Sequence, residues 1–143
     1  MCISAWEAYI EELARESILA MHGPVPRAGL ARALNELLED TLRHFNTPSA
    51  ANVQSLLTRT VGVPDIRRAW FWPLMTRAQA AAALGQALAL RHQIAHGAHP
   101  RPTVHNHYTS DLPNFFRLLG RRTDAAVRNR LIHAHGIPAP WPP

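Results

Sequence analysis

No stretch of this chain alternates apolar and polar residues for long enough to make a strand, and no segment repeats. Its apolar residues recur instead at three- and four-residue spacing. That pattern confines the chain to an all-α fold, and 143 residues suffice for one hydrophobic core, so 1–143 is read as a single domain. Caps, Gly and Pro then divide the helices. Ser4 and Glu7 have capping-box spacing and predict a first helix running to Met21, with Ala5, Tyr9, Leu13, Ile18 and Leu19 on its stripe. A second helix is expected over 27–45, burying Leu30, Leu34, Leu37, Leu38 and Leu42. Thr47 before Pro48 predicts a third, over 48–61, closed by Gly62.

Pro64 and Pro73 bracket a short helical turn whose Trp70, Phe71 and Trp72 read as core or subunit interface. Thr76 and Gln79 form a second capping box and open a long alanine-rich helix ending at Gly97, with Leu84, Leu88 and Ala95 buried. After a loop, Asp111 or Ser110 starts a helix expected to end at Gly120. Thr123 is then expected to cap a last helix over 124–134, closed by Gly136.

The charge is asymmetric. All fifteen basic residues are arginine, and the acids Glu7, Glu11, Glu12, Glu16, Glu36, Glu39 and Asp40 cluster early. Beyond Arg43 only Asp65, Asp111 and Asp124 are acidic, so a net charge of +5 is concentrated in the later two-thirds. Such a surface suits a polyanion, because guanidinium grips phosphate through two parallel hydrogen bonds. The single Cys2 excludes an internal disulfide and points to a reducing, cytoplasmic setting. The most apolar run, 78–90, is too short for a membrane span, so no membrane partner is expected.

Chemistry concentrates in "LALRHQIAHGAHP", 88–100. His92 and His96, four apart, share a helix face in the manner of a metal pair. Gln93 stands where a zinc protease would need its general-base Glu, so that reaction is absent and no metal or cofactor is assigned. A different metal site would have to recruit His99, His105 or His107. Arg91 and His96 form the other grouping, a cation with a proton carrier. Spacing alone does not single it out, since Arg128 with His133 and Arg101 with His107 match as well. Context favours Arg91 and His96, because they close the longest apolar helix. Five residues rotate by ~140° and rise by ~7.5 Å, so the two side chains are expected to address one cleft beside the helix rather than to stack.

Three segments in order, "AWEAYIEELARE", "FNTPSAANVQSLLTRTVGVPDI" and "LALRHQIAHG", resemble the HEPN superfamily and most closely its RiboL-PSP-HEPN group. The likeness runs from about Trp6 to Trp141. It implies a HEPN-like helical bundle that here lacks part of the N-terminal helix usual ahead of Trp-Glu-x-Tyr. It also implies metal-independent cleavage of RNA through the 2′-OH, in a toxin or phage-defence effector. In that reading Arg91 clamps phosphate, His96 transfers protons, and His92 orients its neighbours or contacts RNA. The implied partners are RNA, a second copy of the chain and an antitoxin or immunity protein. One histidine per motif would be completed by the facing copy, with Trp70, Phe71, Trp72 and the apolar face of 76–96 at the contact. Two alternatives stay open: a non-catalytic RNA-binding or regulatory module, and a DNA-binding regulator using helix 124–134.

Overall fold

The computed structural model describes residues 2–23, 28–96 and 111–141. Their element order is α1 (Cys2–His22), α2 (Ala28–Arg43), α3 (Ala50–Val61), a 3₁₀ turn (Ile66–Ala69), α4 (Arg77–Ala95) and α5 (Leu112–His135). Among the described residues there is no strand, only an isolated bridge between Trp72 and Met75. The fold is an all-α bundle, as expected. Its centre is aromatic: Trp6, Trp70 and Phe116 are buried, with ring centroids 6.0–6.4 Å from Trp6. Both buried indoles meet their hydrogen-bonding demand. Trp6 Nε1 donates to the Pro48 carbonyl at 3.2 Å, and Trp70 Nε1 donates to Thr123 Oγ1 at 3.0 Å.

Those two bonds explain two departures from the expected boundaries. Pro48 is buried, with its carbonyl committed to Trp6, and helix α3 starts two residues later than expected. Its cap is Ser49, not Thr47, and Ser49 Oγ accepts from Asn52 N–H. Thr123 does not cap a new helix either. It lies fully buried inside α5, where its hydroxyl donates to the Leu119 carbonyl at 2.8 Å and accepts from Trp70. Helix α5 is therefore continuous through Gly120, and the expected separate helix 124–134 does not exist. Val127 and Leu131 are also fully buried, so this segment is a core element and no free DNA-recognition helix.

Gly120 is carried within α5 because the helix packs along α1. The Tyr9 hydroxyl donates to Asp124 Oδ1 at 2.7 Å, with the Gly120 carbonyl 3.1 Å away. Burial, and then the Asp124 charge, push the phenol well above its usual range, so Tyr9 stays a proton donor. A Cβ at position 120 would meet the Tyr9 ring at 3.9 Å, an ordinary contact. Gly120→Ala should accordingly stabilise the domain by about 0.5–1 kcal/mol through helix propensity. Chemical denaturation measures this, and a loss of stability would mean that the Tyr9 contact tolerates no added methyl.

Helix α1 spans Cys2–His22, so Ser4 sits within the helix and the expected first capping box does not form. Helix α2 also departs from expectation. Leu38 and Leu42 reach the core, but Leu30 and Leu37 remain 52% and 65% exposed. The later half of α2 is tied down by an Arg15–Glu39 ion pair to α1 and by Phe45 behind it. Asp111 caps α5 with Pro113 in the first turn, and the Thr76–Gln79 capping box of α4 is complete, both as expected. The expected end of α4 at Gly97 lies outside the described residues. No described helix is long and apolar enough to cross a membrane.

Candidate functional site

Helix α4 buries Ala80, Ala83, Leu84 and Ala87 and then leaves the core, so every residue from Arg91 to His96 is exposed. His96 is the C-cap, and its backbone N–H donates to the His92 carbonyl at 3.1 Å. The four-residue spacing brings the two imidazoles into contact, with ring centroids 4.3 Å apart and planes inclined by 58°. Arg91 points elsewhere. Its Nη1 donates to Glu7 Oε2 of α1 at 3.2 Å, with the carboxylate only 20% exposed. Between the Glu7 side and the start of α5, Arg91 also lines an apolar groove of about 370 Å³ with Ile3, Leu90, Ile94 and Leu112.

A partly exposed pair of this kind adds at most about 1 kcal/mol of stability. Its larger effect is positional, since it holds one long side chain in one direction. The single cleft expected to serve both Arg91 and His96 is not what the described residues form. Arg91 lines the groove, whereas His92 and His96 are not among its lining residues, and no contact joins Arg91 to His96 among the described residues. The ~140° rotation between these positions is the physical reason. One chain thus presents a held cation and, on another face, an exposed imidazole pair.

Glu7 is the residue that sequence reading misplaces. Its spacing from Ser4 suggests a cap, whereas the Trp-Glu-x-Tyr run distributes three tasks over α1. Trp6 enters the core, Glu7 holds Arg91, and Tyr9 locks α5. The signal is present in that run, but nothing local to it identifies a partner 84 residues away. The segment 45–66 also proves architectural. Gln54 accepts from Ile66 N–H at 2.5 Å and donates to the Pro64 carbonyl at 3.0 Å, fixing the turn that leads to Trp70.

The outward side of α4 has its own pattern. Ala78, Ala82, Gly85, Ala89, His92 and His96 are all exposed or partly so and fall within an arc of roughly 80° on an ideal helix. A smooth strip of small side chains therefore leads directly to the two imidazoles, with open space beyond Gly85. The other expected contact, the aromatic trio, is divided. Trp70 is fully buried in the chain's own core and cannot reach a partner, Trp72 packs on Phe115, and Phe71 is half exposed. Among the described residues, no group of three His, Cys, Asp or Glu is placed to hold a metal. His99, His105 and His107 lie outside them.

An all-α bundle in which α4 ends in Arg-x4-His, with the Trp-Glu-x-Tyr run of α1 facing it through Glu7, is the arrangement of a HEPN-like domain. Residues 1–129 match the model of the RiboL-PSP-HEPN family, and the chain belongs to that family. The comparisons with curated proteins and with solved structures found no match. Membership supports a HEPN-type, RNA-related function at the level of the family.

Proposed function

We propose that this domain is a metal-independent endoribonuclease, acting in the cytoplasm as a toxin or phage-defence effector and restrained by an antitoxin or immunity partner. The observation that carries the reading is the exposed His96, its ring 4.3 Å from that of His92 at the end of the small-residue strip, with a cation that Glu7 holds in place on another face of the same helix end. A neutral imidazole takes the proton of a ribose 2′-OH, and the resulting oxygen attacks the adjacent phosphorus. As the bond to the 5′-oxygen breaks, a protonated imidazole donates to that leaving oxygen, leaving a cyclic phosphate and a free 5′-OH. Arg91 meets the negative charge developing on the phosphoryl oxygens. The base and the acid would be the His96 residues of two chains joined along α4, with His92 orienting its neighbour or touching RNA.

The test is incubation of the purified protein with mixed cellular RNA in EDTA, beside Arg91→Ala and His96→Ala. Cleavage should persist in the chelator and vanish in both variants. Loss of activity on chelation, restored by one added metal, would overturn the mechanism and return His92 and His96 to the role of ligands. One observation favours a non-catalytic RNA-binding module instead, namely that Arg91 and His96 diverge within one chain. Binding without cleavage in the same assay would select that reading.

A further inference from the structure

A second surface carries chemistry that the proposed reaction does not use. The 63–71 segment and one face of α5 enclose an open groove of about 560 Å³, whose walls include Arg68, Phe71, Arg122, Asn129, Arg130 and His133. Three guanidiniums there face one carboxylate, that of Asp65, which is already taken by Arg67 and Arg68 at 3.2 and 3.6 Å. Phe71 is no free stacking platform. The guanidiniums of Arg122 and Arg77 lie over its ring, 5.3 and 5.6 Å from the centroid. The ring instead holds the Arg122 cation on the groove wall, which lowers the ordering cost of binding an anion.

Arg130 is the sharper observation. Its Nε is shielded from solvent and has no hydrogen-bond partner among the described residues. The guanidinium rests against Gly62, the C-cap of α3, where an added Cβ would stand 3.2 Å from Nη2. The negative end of α3 favours a cation there, yet no acidic group pairs with it among the described residues. A half-buried guanidinium with its Nε donor unmet is costly, and an anion at the groove would pair the cation's charge. Phosphate oxygens match its planar fork.

We infer that this groove binds the phosphate backbone of single-stranded RNA, with Arg130 and Arg122 on phosphates and Arg68, Asn129 and His133 at its edge. This rests on the RNA reading above and extends it to a second contact region. Leu112, on the wall of the Arg91 groove, begins the helix on which Arg122 and Arg130 stand, about 15 and 27 Å further along. A strand lying along α5 would be held here while its scissile phosphate reaches Arg91.

The experiment is fluorescence anisotropy of a short labelled 2′-O-methyl RNA, which cannot be cut through its 2′ oxygen, titrated across a salt series. Arg130→Gln should weaken binding about tenfold or more. Together with Arg122→Gln it should lower the slope of log affinity against log salt by about 1.4, or ~0.7 for each single-strand phosphate that the protein no longer neutralises. Arg68→Gln, at a largely exposed position, should weaken binding without any effect on folding. Cleavage of the unmodified oligonucleotide by the wild type is measured in parallel, so failure of the cleavage reading and failure of this one are separately visible. Affinity and slope unchanged in all three groove variants would overturn the inference. So would a wild-type protein that binds a polyglutamate peptide as tightly as the oligonucleotide, since the groove would then serve an acidic protein.

Discussion

His96→Ala should lower RNA cleavage by ~10²–10⁴-fold, the range for loss of a general acid or base, while leaving helix content and melting temperature nearly unchanged. The side chain is exposed, and its one ring contact among the described residues is His92. The turn is closed by the backbone N–H of residue 96, which alanine retains. Removing the imidazole therefore takes away a proton carrier and almost no packing. Circular dichroism and thermal melting must accompany the activity assay. A variant that unfolds would show His96 to be structural, and a folded variant with full activity would place the proton transfer elsewhere.

The second large effect concerns assembly. Light scattering should report twice the chain mass for the wild type, and Gly85→Arg should convert the protein to a folded monomer with little or no cleavage. Position 85 has open space around it, so the isolated chain accommodates the arginine. Two copies meeting along Ala78, Ala82, Gly85 and Ala89 would not, because small residues set how closely two helices approach. A two-fold contact along this strip with the two α4 helices parallel juxtaposes like with like, and brings the His96 of each chain toward the axis. Mixed dimers with one His96→Ala subunit should then lose ~10²-fold or more if one chain supplies the base and the other the acid. Mixed dimers at half the wild-type rate would mean that each subunit works alone. A fully active Gly85→Arg monomer would remove the dimer from the mechanism.

The limits of sequence reading are clearest in α5 and α2. Gly120 and Thr123 carry local signals for a helix end and a helix start, and partners distant in sequence overrule both. Trp70 uses the Thr123 hydroxyl from within the core, and Tyr9 holds α5 against α1 across Gly120. In α2 the leucine spacing identifies a helix but not its burial, since no local rule states which neighbour will cover a stripe. Leu38 and Leu42 find one, whereas Leu30 and Leu37 remain exposed.

By itself the sequence determined the all-α class, the capped start of α4 at Thr76, the caps at Gly62 and Gly136, and the pairing of His92 with His96. These depend on interactions within about one helical turn, where spacing sets geometry directly. Tertiary structure alone decided that Arg91 faces Glu7 and not His96, and that Trp70 is core while Phe71 seats cations. It also decided that Arg130 lies in a basic groove with its Nε unpaired among the described residues. Each of these depends on which helix faces reach one another across the bundle. That outcome is set by the packing of the whole core, and spacing along one segment carries no record of it.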